Sequence, residues 1–234
     1  MAIDSPARLA ILGAGPIGLE AALYARFLGY EIVAYEQGCV AEAVRRLSHK
    51  QMPAPFRLNH SSLGLAAIQA QDENYRAPDL DANYTYGQWI DSYLSPLAAT
   101  DLVSGHLRLQ TQVSALEMEE LQTTVAAEDE EEARSFRILS WDAQEERTEL
   151  FDGVLDCTGV ANHVNWLGMN PSPSATTPFY GTSEPNYYIL GSKSRGPASE
   201  FTFQEGLSQI REVFAILGDR ATLDLYAGAK RLLR

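Results

Sequence analysis

The sequence has few cysteines and no long apolar segment. Its 234 residues include 2 cysteines, Cys39 and Cys157, without a CxxC motif or a metal-ligand spacing, which excludes a disulfide scaffold. Counting leaves open a single disulfide between them. No apolar run approaches the ~20 residues of a membrane helix, and the first residues, MAIDSPAR, lack the apolar core of a signal peptide. We therefore expect a cytoplasmic protein with no membrane partner.

Positive charge is also scarce. The chain has 18 Lys and Arg residues against 31 Asp and Glu residues, a net charge of −13. Such a chain repels the phosphate backbone, so we expect no nucleic-acid partner. The segment 117–132 is rich in acids, ends in EDEEE and contains no base, which predicts a solvated acidic loop. Hydrophobic residues make up 45% of the chain, which is typical of a globular domain.

The first forty residues contain the strongest signal. A short apolar run, RLAIL at 8–12, precedes GAGPIG at 13–18, which is a GxGxxG motif. A helical pattern follows as far as Gly29, and a second apolar run, EIVAY at 31–35, ends at the acid Glu36. This order predicts a βαβ unit over 7–36 with an acid 21 positions after Gly15, which is the pattern of a dinucleotide-binding unit.

Each residue type in this pattern has a physical role. Gly13 permits a tight turn out of the strand, Gly15 lets a pyrophosphate approach the backbone, and Gly18 lets the helix lie close to the sheet. The helix N-terminus offers N–H groups and a partial positive charge to the anion. Glu36 can accept hydrogen bonds from an adenosine ribose, and its charge repels a 2′-phosphate.

The remainder of the chain predicts further elements of both kinds. Periodicity indicates helices at 62–71, 86–98, 203–217 and 221–233. Alternating or apolar runs indicate a strand at 106–118, an antiparallel meander over about 134–151, a buried strand before a turn at 156–159, and a strand at 187–190. Together these elements predict an α/β fold: a Rossmann-like, doubly wound parallel sheet with a small antiparallel β-meander.

Three separated motifs resemble those of flavoproteins with two dinucleotide-binding domains. The N-terminal ILGAGPIGLEAALYARFLGYEIVAYE is similar to the FAD fingerprint of flavin-dependent, N-hydroxylating-type monooxygenases and their relatives. DGVLDCTG at 152–159 resembles the "ATG" strand and turn of that group, and NYYILGSKS at 186–194 with the following helix resembles its final strand and FAD-facing helix.

The resemblance implies one FAD-binding domain over 1–234, with its C-terminal strand and helix at 186–217. The cofactor-binding positions that it implies are Gly13, Gly15, Pro16, Gly18, Glu36, Gln37, Val113, Thr158, Gly159 and Gly191. The disulfide-reductase branch usually has Gly-Asp at the final motif, whereas this chain has Gly191-Ser192, which argues against that branch.

A second departure is a gap. In the resembled group an NAD(P)H domain with its own GxGxxG lies between the ATG turn and the final strand. Here Gly159 and Asn186 are 27 positions apart and no second GxGxxG occurs. A further βαβ domain needs ~100 residues, so this gap cannot hold one.

Several residues allow two interpretations from the sequence alone. Arg45, Arg46 and Arg57 are either contacts for FAD phosphates or ordinary surface cations. His60 and Asn59 follow a segment that resembles the stretch near the isoalloxazine ring of relatives, although an ordinary structural role is the simpler interpretation. Cys157 lies in a buried-strand pattern, which favours an inert core thiol. No residue is assigned as catalytic.

The resemblance implies an FAD-binding oxidoreductase, monooxygenase-like, without its own NAD(P)H domain. NAD(P)H is then an external reductant, and a small-molecule substrate or an electron-donor protein is the expected partner. Two alternatives stay open: a non-catalytic flavin- or NAD-binding module, and a single-domain NAD-dependent dehydrogenase.

Overall fold

A computed structural model describes residues 3, 5–120, 134–159, 184–195 and 200–229. The strands are β1 (Arg8–Leu12), β2 (Glu31–Tyr35), β3 (Leu107–Arg108), β4 (Gln112–Glu120), β5 (Arg134–Trp141), β6 (Glu146–Phe151), β7 (Gly153–Asp156) and β8 (Tyr187–Ile189). The α-helices are α1 (Pro16–Phe27), α2 (Glu42–Arg45), α3 (Ser62–Gln71), α4 (Tyr86–Trp89), α5 (Ser95–Ala98), α6 (Asp101–Ser104), α7 (Phe203–Leu217) and α8 (Leu225–Ala229). A π-helical segment at Ile90–Leu94 joins α4 to α5, and short 3-10 helices lie at Phe56–Leu58 and Gly191–Arg195.

A parallel sheet forms the centre of the fold, in the order β3-β2-β1-β7-β8. Strand β1 is buried on both faces because Leu9, Ala10, Ile11 and Leu12 are all apolar and at most 2% exposed. The chain leaves β1 toward β2 on one side, while β7 pairs with β1 on the other. The strand order therefore reverses between β1 and β7, where α/β sheets bind their ligands.

Helices cover one face of this sheet. Leu9 and Ile11 of β1 pack there against α1, α3, the π-helical segment and α7 in one core cluster. The predicted amphipathic helix α7 buries Ile210 and Phe214, and Gly206 lets it lie directly on Ile17 of α1. The predicted helix at 221–233 is observed only as α8, since residues 230–234 lie outside the described part of the chain.

A three-stranded antiparallel sheet, in the order β4-β5-β6, covers the other face. Its Phe136 and Ile138 pack on Ala10 and Leu12 of the parallel sheet. The predicted α/β fold, a Rossmann-like parallel sheet with helices and a small antiparallel β-meander, is thus confirmed. The structure adds β4 to that meander as a third strand.

The single strand predicted at 106–118 is wrong. The chain forms β3 in the parallel sheet, turns at Gln110 with a φ of +52°, and continues as β4 in the antiparallel sheet. Apolar and polar residues alternate throughout 106–118, so the periodicity of the sequence could not show that the chain passes from one sheet to the other. Only the different partners, β2 for β3 and β5 for β4, separate the two strands.

The acidic loop predicted at 117–132 is wrong at its start. Residues 117–120 belong to β4, where Leu116 and Met118 contact the core and the acids alternate with them. Glu119 forms an ion pair with Arg137 of β5, which compensates part of its charge. Residues 121–133, including the EDEEE run, lie outside the described part of the chain.

No helix among the described residues is long and apolar enough to cross a membrane.

Candidate functional site

The glycine loop between β1 and α1 requires two of its glycines for its own shape. Gly13 has a φ of +98°, and a Cβ there would lie 2.9 Å from the carbonyl oxygen of Cys157. A Cβ on Gly18 would fall on the carbonyl oxygen of Gly13. The loop is therefore folded back on itself and against the end of β7, at the point where the strand order reverses.

Replacing Gly18 by alanine is expected to destabilise the fold by ~1–3 kcal/mol, because the new methyl group must displace backbone. Calorimetric unfolding measures this loss. Gly228→Ala is the matched control, since Gly228 lies in α8 and a methyl group added there would meet nothing within 4 Å. Equal melting temperatures for the two variants would contradict the packing role of Gly18.

Gly15 is different, because nothing in the fold demands a glycine there. Its φ of −76° and ψ of −177° are accessible to any residue, and a Cβ there would meet nothing within 4 Å. Gly15 precedes α1, which begins with Pro16 and has no acidic residue in its first turn. No described side chain caps this N-terminus. An open, uncapped helix N-terminus of this kind suits an anion.

Glu36 braces the loop from the end of β2. Its Oε2 accepts a hydrogen bond of 3.0 Å from the backbone N–H of Ala14, and its Oε1 accepts one of 3.0 Å from Gly38. Each carboxylate oxygen has two acceptor positions, so both can accept a further donor from a ligand. The predicted acid therefore does lie against the glycine loop, held in one orientation by two backbone groups.

A cleft of about 680 Å³ opens beside this loop at the carboxyl ends of β1 and β2. Its lining residues are Leu12, Gly13, Tyr35, Glu36, Gln37, Glu42, Ala43, Arg46, Thr111, Gln112, Val113, Ser114 and Thr158. Among the predicted site residues, the cleft brings together Gly13, Glu36, Gln37, Val113 and Thr158. The predicted residues Gly15, Pro16, Gly18, Gly159 and Gly191 do not line it.

Sequence reasoning missed the segment Thr111–Ser114 around Val113 and the pair Glu42 and Ala43. The turn at Gln110 delivers the first group to the cleft wall. Thr111–Ser114 follow β3, and Glu42 and Ala43 follow β2. The only signal in the sequence was therefore that both segments come after parallel strands, whose carboxyl ends lie at the same edge of the sheet.

The three candidate arginines have different positions. Arg46 lines the cleft. Arg45 donates from Nε to the carbonyl oxygen of Val40 at 3.0 Å, and Arg57 pairs with Asp81 on the surface. Arg46 is therefore the one of these three that lines the cleft.

The His60 and Asn59 segment is held by protein contacts. Asn59 donates to the carbonyl oxygens of Ala54 and Pro55 at 3.0 and 3.1 Å. The His60 ring stacks on Phe56 with centroids 4.8 Å apart, and neither residue lines the cleft. These contacts give both residues a structural role in the described part of the chain.

The two turns of the later motifs also have left-handed glycines. Gly159 has a φ of +69° and Gly191 a φ of +77°. The N–H of Gly191 donates to Gln209 Oε1 of α7 at 2.8 Å, which ties the turn after β8 to that helix.

Cys39 and Cys157 are both free, and burial raises the pKa of the Cys157 thiol well above its usual range, as expected for an inert core thiol.

A buried ion pair at the end of β7 was not found from the sequence. Lys193, 5% exposed, donates to Asp156 Oδ2 at 2.6 Å, and Asp156 is fully buried. Lys193 also lies 3.1 Å from the hydroxyl oxygen of Thr158, and the Tyr187 hydroxyl donates to Asp156 at 3.1 Å. An acid within the apolar strand GVLD was the only signal.

A second buried carboxyl, Glu20, lies within α1. The Tyr93 hydroxyl donates to its Oε1 and accepts from the N–H of Ser61 at 2.9 Å. Burial raises the pKa of Glu20 to about 7, against the opposing effect of the neighbouring hydroxyls. The hydroxyl of Tyr226 is near enough to lower that pKa, yet neither it nor Glu20 Oε2 has a partner of hydrogen-bond geometry among the described residues.

No family model matches the sequence, and no curated protein matches it. Solved structures similar to this chain include OTEMO in complex with FAD and NADP, at 16% identity, a TM-score of 0.45, 67% of this chain and 26% of that one. A bacillithiol disulfide reductase from Bacillus cereus has 13% identity and a TM-score of 0.48 over 79% of this chain and 47% of that one. An oxidised steroid monooxygenase bound to NADP has 16% identity and a TM-score of 0.47 over 65% and 26%. The chain thus spans less than half the length of each of these proteins.

Proposed function

We propose that this chain is an FAD-binding oxidoreductase of the monooxygenase-like kind, which takes its electrons from outside its own fold. The observation that supports this most directly is the space at Gly15. A glycine that neither its φ nor its packing requires stands at an uncapped helix N-terminus, next to a cleft lined by Glu36. Such a glycine is explained by a ligand that approaches the backbone there.

The residues around the glycine loop would bind different parts of the dinucleotide. The pyrophosphate would lie over Gly15 and the first turn of α1, where backbone N–H groups and the helix dipole favour an anion. Glu36, already oriented by Ala14 and Gly38, would accept hydrogen bonds from the adenosine ribose. Gln37 and the backbone of Val113 line the same cleft and would contact the adenosine.

The turns at Thr158, Gly159 and Gly191 lie toward β7 and β8, on the other side of the reversal in strand order. A dinucleotide laid across that point would bring its flavin half toward these turns. Bound FAD would supply the redox chemistry, while these residues hold and orient it. NAD(P)H, or an electron-donor protein, would be the external reductant of such a chain.

The charges at the cleft favour FAD or NAD over a 2′-phosphorylated nucleotide. Glu36 and Glu42 both line it, against the single base Arg46 among its lining residues. A 2′-phosphate on the ribose would be repelled by these carboxylates. The volume of about 680 Å³ lies within the usual range for small-molecule sites.

A second candidate function is a nucleotide-binding module without flavin chemistry. It is favoured by the position of Glu36 and Gln37 in the cleft, where they would contact the adenosine half that FAD and NAD share. Colour separates the two, because an FAD holoprotein is yellow and releases FAD on denaturation whereas an NAD complex is colourless. Mass spectrometry of the released ligand identifies it directly.

Gly15→Val tests the site. We expect the variant to fold normally, since the Cβ position is open, and to bind FAD at least 100-fold more weakly because the side chain occupies the space of the pyrophosphate. Flavin content after purification and titration of the apoprotein with FAD measure this loss. Gly105→Val is the matched control, because the Cβ position of Gly105 is equally open but away from the cleft. Full flavin content in Gly15→Val, or no flavin and no nucleotide in the wild-type protein, would contradict the proposal.

A further inference from the structure

The buried pair of Asp156 and Lys193 lies directly behind a wall of the cleft. Asp156 ends β7, Thr158 follows it and lines the cleft, and Lys193 reaches them from the turn after β8. The lysine and the aspartate are 37 positions apart in the chain. The pair thus joins the two turns that the proposed function places at the flavin half of the cofactor.

Stability alone is a poor explanation for such a pair. Two buried charges lose their hydration, and an apolar replacement of similar volume is often as stable or more stable. What the pair does provide is a fixed arrangement of hydrogen bonds. Asp156 Oδ1 accepts from the N–H and the hydroxyl of Thr158 at 3.1 and 2.6 Å, and Oδ2 accepts from Lys193 and Tyr187 at 2.6 and 3.1 Å.

These contacts determine the polarity of the Thr158 hydroxyl. A threonine hydroxyl has one proton to donate and two positions at which it can accept. The proton is committed to Asp156, and one acceptor position is committed to the Lys193 ammonium at 3.1 Å. Any additional hydrogen bond made by this hydroxyl must therefore be one that it accepts.

We propose that Lys193 is a positioning residue, which together with Asp156 holds the Thr158 hydroxyl as a hydrogen-bond acceptor for a hydroxyl or N–H group of the bound flavin cofactor. The inference rests on the proposed function and names the chemistry by which this side of the cleft recognises its ligand. A ligand group that can only accept hydrogen bonds would be rejected there, because two acceptors would face each other.

The experiment compares FAD affinity with stability in a set of variants of the full chain. Thr158→Val removes the hydroxyl, and Lys193→Met removes the ammonium. A triple variant, Asp156→Leu, Tyr187→Phe and Lys193→Met, removes Asp156 together with its partners Lys193 and Tyr187, so that neither member of the ion pair keeps its charge. Arg195→Met is the matched control, because Arg195 lies in the same turn but pairs with Glu205 at the surface. Titration with FAD gives the affinity, and thermal unfolding gives the stability.

We expect Thr158→Val and Lys193→Met each to weaken FAD binding about tenfold, the usual loss for one hydrogen bond of this kind. Lys193→Met should also melt lower, since it leaves Asp156 buried without its cation. The triple variant should regain wild-type stability yet remain about tenfold weaker for FAD. Adding Thr158→Val to the triple variant should change the affinity less than twofold, because the hydroxyl is no longer oriented.

Wild-type affinity in the triple variant would overturn the inference, since the pair would then act through stability alone. So would a full tenfold effect of Thr158→Val in that background, or an equal loss of affinity in Arg195→Met. A wild-type protein that binds no flavin overturns the proposed function and this inference together. Flavin bound with equal affinity by the wild type and Lys193→Met overturns only the inference.

Discussion

Reduction of the FAD-loaded chain by NADPH or NADH is expected to be several orders of magnitude slower than in an enzyme that holds nicotinamide and flavin side by side. Hydride transfer needs the two rings in near-attack geometry, and such positioning contributes ~7–11 kcal/mol to lowering the barrier. The gap between Gly159 and Asn186 is too short for a nicotinamide domain. The cleft at Glu36 would already hold the FAD adenosine. Each ~1.4 kcal/mol of lost positioning is a factor of ten in rate.

Anaerobic stopped-flow measures this rate as the bleaching of the flavin band after mixing with NADPH, and separately with NADH. Reduction by dithionite is the control, because it shows that the bound flavin is accessible to a small reductant. Bleaching by NADPH on the order of tens per second, a typical turnover rate, would contradict the prediction. It would show that this chain has a nicotinamide site of its own.

Glu20→Gln is expected to stabilise the protein above neutral pH and to have little effect near pH 5. The pKa of this carboxyl is raised from 4.5 to about 7 in the folded state, so between these values the folded chain retains a proton that the unfolded chain releases. Stability therefore falls as pH rises through this window, by about 3 kcal/mol in total, and is constant above it. Glutamine cannot ionise, and its amide can donate toward the Tyr226 hydroxyl, which has no partner of hydrogen-bond geometry among the described residues.

Thermal unfolding of both proteins from pH 5 to pH 8 tests this expectation. The difference in melting temperature between variant and wild type should grow by roughly 6–12 °C over that range, given the size of the chain. Glu146→Gln is the control, because it makes the same chemical change at an exposed position of β6. A pH-independent difference for Glu20→Gln would show that the folded carboxyl keeps an ordinary pKa.

The local part of the fold was predictable because its signals lie within about thirty residues. The run RLAIL, the loop Gly13–Gly18, the helix and Glu36 follow each other in the order that a βαβ unit imposes, and the structure has β1, α1 and β2 at those positions. Helix α7 was also predictable from its apolar periodicity, since a helix that covers a sheet needs one apolar stripe.

The assignment of the arginines was not predictable. Nothing in the sequence around Arg45, Arg46 and Arg57 distinguishes an arginine that binds a ligand from one on the surface. The path of the chain after β2 places Arg46 in the cleft lining and Arg57 beside Asp81. The division of 106–118 into β3 and β4 was also not predictable. Apolar and polar residues alternate in the same way in both sheets, and only the partner strand determines which sheet each segment joins.

The sequence by itself determined that this chain builds a parallel sheet around a glycine loop with an acid beside it. Only the tertiary structure decided which polar groups lose their contact with water. Asp156 meets Lys193 from 37 positions away, and Glu20 meets Tyr93 from 73 positions away. The pKa of a charged group depends on the residues that pack around it. Those residues come from distant segments of the chain, and no periodicity or motif in the sequence indicates which segments will meet.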